Sequence, residues 1–390
     1  EKRLKFGKWL WDRKENKEEI KSGNFIENNN IKSILFLRYD GKIGDMVINT
    51  LMFREIKRRY PYIKIGVVAR EGNAQIIKNN FNVDNIYIYK KKRKEIVKLS
   101  EKIKKDKYDL LIDFSEMLRV NQMMLINKIN ARFNMGLNRE DWQLFDINYN
   151  YPKGNFHITK VYEKVLNKLG ILNSDLNYDL QFSEEDKKKV NTLLEKINNE
   201  EKFVLNPFAA SKHREINKEN IKKIIECILS KENRVVFLIG EKNKEKEILE
   251  IIEKYSNKVI YPALNNIMET AYLVKKSDWI ITPDTSIVHI AAAFKKRLIA
   301  IYRVDNSDNN QVNKDLWAPN YENGKQIFSI DLDAKFGEES DINKFDIKVE
   351  TFTIFVPAML GILFIEEWKG RRGKDIAINS LIYIVIFFLN

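Results

Sequence analysis

The sequence of 390 residues contains little of two metal-binding residue types, with one cysteine and three histidines. A single thiol, Cys227, excludes an intramolecular disulfide and any zinc or iron–sulfur site built from several cysteines. The histidines, His157, His213 and His289, leave little material for a multi-histidine metal centre. We therefore expect no metal site in this protein.

Long apolar runs are absent from the first 30 residues, where charges interrupt every hydrophobic stretch. This pattern predicts no signal peptide in that segment. The apolar side chains of the segment lie among basic residues, and either rest on a membrane surface or pack against the protein: Phe6, Trp9, Leu10 and Trp11.

Two apolar runs lie at the other end of the chain, at 351–365 and 376–389, with lengths of 15 and 14 residues. Each is shorter than the ~20 residues that a membrane-spanning helix needs. A re-entrant or interfacial hairpin, docking on the body of the protein, and an atypical terminus all stay open as interpretations of this tail.

Basic residues exceed acidic ones, 68 to 55, which gives a formal net charge of +13. Residues 90–107 alone contain ten Lys or Arg and three Asp or Glu, and Ile96, Leu99 and Ile103 recur there at helical spacing. The segment therefore predicts an amphipathic helix with a basic outer face. That face is a solvated Lys-rich surface, a surface for anionic lipid or substrate, or a nucleic-acid surface, although no recognised nucleic-acid motif accompanies it.

The length suggests two domains at ~150 residues each, and 44% hydrophobic residues exclude a mostly disordered chain. Short apolar runs alternate with helical patterns in two successive series, which predicts parallel α/β sheets in two Rossmann-like domains. The predicted strands are 33–38, 63–69, 85–89 and 109–114 in the first series, and 202–206, 234–239, 258–261, 278–282 and 297–302 in the second. The predicted divisions are a basic N-terminal extension at 1–30, the two domains at 31–183 and 184–350, and the apolar tail at 351–390.

Ligands of open α/β sheets bind at the carboxyl ends of the strands, so the loops there are the candidate site. The loop after the first strand contains Gly41 and Gly44, which allow tight turning, and then Asp45 at the start of a helix. The pattern is not the G-x-G-x-x-G fingerprint, so a dinucleotide site is not indicated. Asp45 is either a helix N-cap or a functional carboxylate.

Two later loops have the features of an anion site. The loop after 202–206 places Lys212, His213 and Arg214 behind small residues, which suits a phosphate or a solvated basic loop. After 278–282, Asp284 is expected to cap a small-residue helix, with the N–H groups of Thr285 and Ser286 facing outward. The alternative is a capped core helix with His289 as a hydrogen-bonded core histidine.

Together, these segments resemble glycosyltransferase family 9, the lipopolysaccharide heptosyltransferases with the GT-B fold. The stretch 34–51 resembles the family's strand, Gly-Asp turn and helix. Asn206-Pro207 with Ser211-Lys212-His213 resembles its second-domain loop, and 284–293 (DTSIVHIAAA) resembles its D-T-G-x-x-H-x-A-A-A segment. Ser286 stands where glycine is usual, and Arg214-Glu215 where Trp-Pro is common.

The resemblance implies an inverting transfer of a sugar from a nucleoside diphosphate, heptose from ADP-heptose in this family, to a hydroxyl of a lipopolysaccharide core or related glycolipid. Asp45 is then the expected general base. We expect Lys212 and the helix start at Thr285 and Ser286 to bind the diphosphate. Further expected roles are sugar binding or helix support for Asp284, support for His289, ribose binding for Glu241, and loop support for Gly41 and Gly44.

The resemblance also implies no cofactor, because protein cations usually replace the divalent metal in GT-B enzymes. The expected partners are a nucleotide sugar and an anionic glycolipid acceptor, with no nucleic acid. The expected location is the cytoplasm, at the cytoplasmic face of the inner membrane. A GT-B transferase with another nucleotide sugar, a non-catalytic saccharide-binding relative and a basic RNA-binding protein are the alternatives.

Overall fold

Two parallel sheets organise the chain, in a computed structural model that describes residues 2–14, 17–152, 154–197, 199–303, 312–329 and 341–345. Within these described residues each sheet has six strands, and every strand pair in both is parallel. Interior strands such as Ser33–Arg38 and Arg234–Leu238 are buried along their whole length, because helices cover both faces of the sheet. The predicted pair of Rossmann-like α/β sheets is confirmed.

The strands of the first sheet are β1 (Ser33–Arg38), β2 (Lys64–Ala69), β3 (Asn85–Ile88), β4 (Leu110–Asp113), β5 (Phe133–Leu137) and β6 (Ile147–Tyr149). Their order in the sheet is β3-β2-β1-β4-β5-β6. Strands β1 to β4 confirm the predicted ones to within one residue at each end, whereas β5 and β6 were not predicted. The helices of this half are α1 (Lys2–Trp11), α2 (Phe25–Asn28), α3 (Ile43–Arg59), α4 (Glu71–Ala74), α5 (Arg93–Lys105), α6 (Val120–Ile129) and α7 (Thr159–Lys168).

The strands of the second sheet are β7 (Glu201–Leu205), β8 (Arg234–Leu238), β9 (Val259–Ile260), β10 (Trp279–Pro283), β11 (Arg297–Arg303) and β12 (Gly324–Ser329). Their order in the sheet is β12-β11-β10-β7-β8-β9. Strands β7 to β11 match predicted ones, and the edge strand β12 was not predicted. The helices are α8 (Glu184–Leu194), α9 (Lys218–Leu229), α10 (Glu245–Ile252), α11 (Ile267–Lys276), α12 (Ser286–Ala293) and α13 (Val312–Leu316).

Opposite faces of the first sheet pack against different helices. On one face, Ile96 and Ile103 of α5 pack with α6 residues such as Met123, and Trp11 of α1 joins the same cluster. The other face carries α3 and α7 in the large core that continues into the second half. The predicted amphipathic helix at 90–107 is thus confirmed as α5, with its isoleucines buried and its lysines outside.

The two halves meet at the start of α3 and the start of α12. A Cβ atom on Gly44 would lie 2.6 Å from Cδ2 of His289 and 3.5 Å from the Cα atom of Ser286. Only a glycine permits this approach without a shift of the neighbouring groups. The contact brings together two of the loops that the sequence identified as candidates.

None of the helices in the described part of the chain combines the length and the apolar content that crossing a membrane requires. The predicted apolar tail at 351–390 lies outside the described residues. The predicted boundaries of the N-terminal extension and of the two domains stay predictions.

Candidate functional site

A buried arginine organises the first half of the site. Arg38 ends β1, and its side chain is only 2% exposed. Its Nη2 atom lies 2.7 Å from Oδ1 of Asp45 and 3.1 Å from Oδ2 of Asp40. Burial alone would lower the pKa of the Arg38 guanidinium, but Asp40, Tyr162 and Asp45 raise it above its ordinary value. The Asp45 carboxylate is therefore held in place by a fixed cation.

Asp45 does not cap helix α3. The N-cap is Lys42, and Asp45 lies in the first turn with its carboxylate directed to Arg38. Gly41, just before the cap, has φ +79°, a conformation that favours glycine. Of the two interpretations of Asp45, the N-cap is wrong, and the side chain is 15% exposed and accessible at the helix start.

Thr285, and not Asp284, caps helix α12, so the expectation of an Asp284 cap is wrong. The Thr285 hydroxyl accepts from the backbone N–H of Ile287 at 3.3 Å. Asn206, after β7, donates from Nδ2 to Thr282 Oγ1 at 3.0 Å and to Thr285 Oγ1 at 3.3 Å. These neutral hydrogen bonds fix the start of α12 against the end of β7. The N–H groups of a helix's first turn lack intrahelical acceptors, so this start can bind an anion.

Asp284 instead pairs with Arg214, whose Nη1 lies 3.0 Å from Oδ2 of the carboxylate. The Asp284 side chain is 24% exposed. Burial raises its pKa, while the nearby charges of Arg214 and Lys42 oppose that rise. Lys42 belongs to the first half, and its Nζ atom lies 5.7 Å from the ring centroid of Trp317. Cations from both halves therefore surround Asp284 at the start of α12.

His289 is a buried, uncharged imidazole between the two halves. It is 5% exposed, and burial lowers its pKa to about 4. Its ring lies edge-to-face with Trp317, at 6.1 Å between centroids, and its buried Nδ1 atom has no hydrogen-bond partner among the described residues. His289, a residue of α12, thus packs between Gly44 and the ring of Trp317.

His157 is a second buried imidazole near this contact. Burial, and then the proximity of His289, lower its pKa to about 3. Its Nε2 atom donates to the Ala318 carbonyl at 3.1 Å, and Nδ1 accepts from the Thr159 hydroxyl at 2.8 Å. These bonds attach the segment after α13 to the start of α7. His157 is therefore a structural histidine.

Lys212 and Glu241 lie at the rim of the site. Lys212 is exposed on the loop after β7, in the short 3₁₀ turn that also contains Arg214. Glu241 is exposed on the loop after β8, the neighbouring strand. Within the described residues, no hydrogen bond or ion pair joins either side chain to the other candidates. The structure thus brings together Gly44, Asp45, Ser286 and His289, and leaves these two apart.

Three contributors had no assigned role in the sequence interpretation: Arg38, Asn206 and Trp317. The sequence does indicate a partner for Arg38, because a charged residue that directly ends an apolar strand is rarely buried without one. Asn206 and Trp317 act through contacts with residues far away in the chain, at Thr282 and His289, which spacing does not reveal.

The arrangement combines a fixed carboxylate on one half with a helix start and cations on the other. Such a pair of surfaces can hold a hydroxyl against a carboxylate while an anionic group binds opposite. No cluster of three or more His, Cys, Asp or Glu side chains suited to a metal ion occurs in the described ranges.

The sequence matches the family model of glycosyltransferase family 9 (heptosyltransferase) over residues 96–336. It is 25% identical over 333 residues to an Escherichia coli K12 protein provisionally named lipopolysaccharide heptosyltransferase 4. That match covers 83% of this chain and 86% of the relative.

Several solved structures share the fold. A family 9 glycosyl transferase from Veillonella parvula has a TM-score of 0.68 at 15% identity, over 83% of this chain and 95% of that one. Escherichia coli ADP-heptose lps heptosyltransferase II has a TM-score of 0.63 at 17% identity, over 86% and 99%. Escherichia coli heptosyltransferase WaaC with ADP has a TM-score of 0.61 at 14% identity, over 84% and 98%. The two facing Rossmann-like sheets are thus the GT-B fold. Because the family model spans more than half of the sequence, the protein is a glycosyltransferase and belongs to glycosyltransferase family 9.

Proposed function

We propose that the protein transfers heptose from ADP-heptose to a lipopolysaccharide core or related glycolipid, with inversion at the anomeric carbon. One observation carries the proposal: Asp45, fixed by Arg38 at 2.7 Å, follows Gly44 at the point where α3 meets the start of α12. The relatives support the donor and acceptor, since one is named lipopolysaccharide heptosyltransferase 4 and another was solved with ADP-2-deoxy-2-fluoro heptose.

In the proposed mechanism, the acceptor hydroxyl lies against the Asp45 carboxylate and the donor diphosphate lies at the start of α12. The hydroxyl oxygen bonds to the anomeric carbon while the bond from that carbon to the diphosphate breaks. Asp45 takes the hydroxyl proton, and the nucleoside diphosphate leaves with the electron pair of the broken bond. Attack opposite to the leaving group inverts the anomeric configuration.

The second half stabilises the departing diphosphate. The first-turn N–H groups at Thr285 and Ser286 supply fixed dipoles, and Lys212 supplies an exposed cation. Asp284 holds Arg214 beside the helix start through their ion pair at 3.0 Å, and so supports this surface. His289 supports it by packing, and Glu241, on the next loop, binds the ribose. Protein groups thus carry out the neutralisation that a divalent metal would otherwise perform.

The acceptor in this proposal is an anionic glycolipid in the inner membrane, reached from its cytoplasmic face. Helix α5 supports this placement, with six basic and two acidic residues and its isoleucines turned inward. No nucleic acid takes part.

Purified protein and a set of nucleotide sugars test the proposal. ADP-heptose at 100 times its Kd should stabilise the fold by about 2.7 kcal/mol, measured as a thermal shift, while UDP-linked sugars should not. Transfer to heptose-deficient lipopolysaccharide should be detectable by mass spectrometry, survive EDTA, and give the inverted anomer by NMR. Protection by a different nucleotide sugar would change the donor, and no transfer with any donor would contradict the proposal.

A further inference from the structure

Helix α1 is firmly attached to the outside of α6. A Cβ atom on Gly7 would lie 2.5 Å from Cγ2 of Val120, so the two helices touch along this glycine. Lys8 donates to the Asp141 carbonyl at 3.0 Å and lies 4.3 Å from the ring centroid of Trp142. Asn127 of α6 donates to the Arg13 carbonyl at 2.8 Å. The orientation of α1 on the protein is therefore fixed by packing, by hydrogen bonds and by a cation–aromatic contact.

The side of α1 opposite Gly7 presents aromatic rings to solvent. Phe6 is 62% exposed and Trp9 is 75% exposed, and their rings stack at 5.6 Å between centroids. Met117, 68% exposed, lies in the loop three residues before Val120, the residue that Gly7 touches. Exposed apolar side chains thus concentrate at this end of the helical layer, although exposure costs each of them hydrophobic free energy.

The same layer is strongly basic. Helix α1 contains four basic residues and no acidic one, and α5 contains six basic and two acidic residues. Trp11 of α1 and Ile96 of α5 belong to one core cluster, so both helices cover the same face of the first sheet. The stacked rings therefore lie on a surface with a positive charge.

We propose that this surface, the outer side of α1 with the basic side of α5, binds an anionic phospholipid membrane. Phe6 and Trp9 insert among the headgroups, where aromatic rings are favourable, and the surrounding lysines and arginines contact lipid phosphates. The rings stand on the outside of a convex helix, which fits a deformable lipid surface. Helix α1 itself contains no acidic residue that would repel anionic headgroups beside the rings.

The inference rests on the proposed function in one respect, since a membrane-anchored acceptor requires the enzyme to work at a membrane. The inference adds which helices, α1 and α5, contact the membrane. Its test measures vesicle binding alone. A protein that does not bind vesicles could therefore still transfer the sugar, and a protein without transferase activity could still bind vesicles.

The full-length protein is mixed with vesicles of phosphatidylethanolamine and phosphatidylglycerol, and binding is measured by flotation. The double variant Phe6→Ala/Trp9→Ala should bind at least about tenfold more weakly, because burial of one large apolar side chain alone accounts for such a factor. The matched control is Phe81→Ala, whose ring is 81% exposed on a different part of the first half and should not matter.

Charge is tested on the same vesicles. Raising the salt from 0.1 M to 1 M shortens the Debye length from ~10 Å to ~3 Å and should weaken binding by the wild-type protein, as should replacement of phosphatidylglycerol by phosphatidylcholine. The proposal fails if the wild-type protein does not bind at low salt, or if the double variant binds as well as Phe81→Ala. It also fails if the double variant changes only the oligomeric state in light scattering, since the rings would then contact a second copy of the chain.

Discussion

The two sides of the candidate site hold their functional groups in different ways. The first half holds its carboxylate with a buried cation, as Arg38 binds Asp40 and Asp45 within 3.1 Å. The second half fixes its helix start with a neutral hydrogen bond from Asn206 to Thr285 and contains an imidazole whose pKa is lowered to about 4. Its cations are more exposed, since Arg214 pairs with Asp284 while 43% exposed and Lys212 is exposed on the same turn.

This difference matches what each side has to do in the proposed reaction. A base has to be oriented before the acceptor arrives, so its carboxylate benefits from a fixed partner. A diphosphate brings its own charge, so the surface that binds it can keep a cation hydrated until the ligand arrives. Variants on each side should therefore fail in different ways.

The largest effect is expected from Asp45→Asn. Loss of the base should lower kcat by about 10²–10⁴-fold with little change in the KM for the donor, because general-base catalysis is worth that factor. Steady-state kinetics measures both constants. Asp40→Asn is the matched control, since Asp40 pairs with the same guanidinium, and it should retain most of the activity. Unchanged turnover in Asp45→Asn would remove Asp45 from the role of base.

Arg38→Met should destabilise the first half. Removing the cation leaves two carboxylates beside a buried position that is only 2% exposed, and breaking such a pair should lower the free energy of unfolding by about 3 kcal/mol. Urea unfolding measures the change. Arg59→Met is the control, because its guanidinium is 61% exposed and lies 3.9 Å from Glu27, and it should have little effect. Equal stability of the two variants would show that Arg38 does not hold Asp45.

On the second side, the pH dependence of stability tests the neutral His289. Its pKa is about 4 in the folded protein and 6.5 as the ordinary value, so the unfolded chain binds more protons between these pH values. The contribution of neutral His289 to the free energy of unfolding is complete above pH 6.5. It is lost as the pH falls to about 4, by about 3 kcal/mol in total.

Denaturant titrations at several pH values measure the slope of the free energy of unfolding against pH. His289→Leu should reduce it, leaving the contribution of His157, whose folded pKa is about 3. His213→Leu removes an exposed histidine and is the matched control for the loss of an imidazole. If His289→Leu has the wild-type slope, the imidazole is not buried as a neutral group.

The smallest effect is expected from Lys212→Ala. Losing one exposed cation should raise the donor KM by about tenfold and leave the free energy of unfolding unchanged, because charged hydrogen bonds contribute at that scale. Donor titrations and urea unfolding measure the two quantities. Lys242→Ala, an exposed lysine on the neighbouring loop after β8, is the control. An unaltered donor KM in Lys212→Ala would exclude a phosphate contact.

Much of the fold could be predicted from the apolar runs, because strands buried on both faces need them at every position. The strands that were missed lie at or near sheet edges and have mixed composition. β5 contains the buried polar residue Asn134, whose side chain donates to the Leu144 carbonyl at 2.8 Å. β12 begins with Gly324 and Lys325. Their pairing depends on neighbouring strands, which a local pattern does not contain.

The candidate site was predicted less completely than the fold. The loops were identified because carboxyl ends of parallel strands meet at one edge, and Gly44, Asp45, Ser286 and His289 do lie together there. The partners of these residues, by contrast, were not predicted. The predicted Asp284 cap was wrong because the Thr285 hydroxyl accepts from the N–H of Ile287, and the Asp284 carboxylate forms an ion pair with Arg214.

The amino-acid sequence by itself determined the two α/β series, the basic amphipathic helix and the loops that carry the site, because strand and helix periodicity and turn residues are local properties. Only the tertiary structure decided that Arg38 binds Asp45, that Gly44 meets His289 and that Phe6 and Trp9 stay outside. Each of these depends on which distant segments come into contact. A residue's partner, unlike its propensity, follows from the packing of the whole chain.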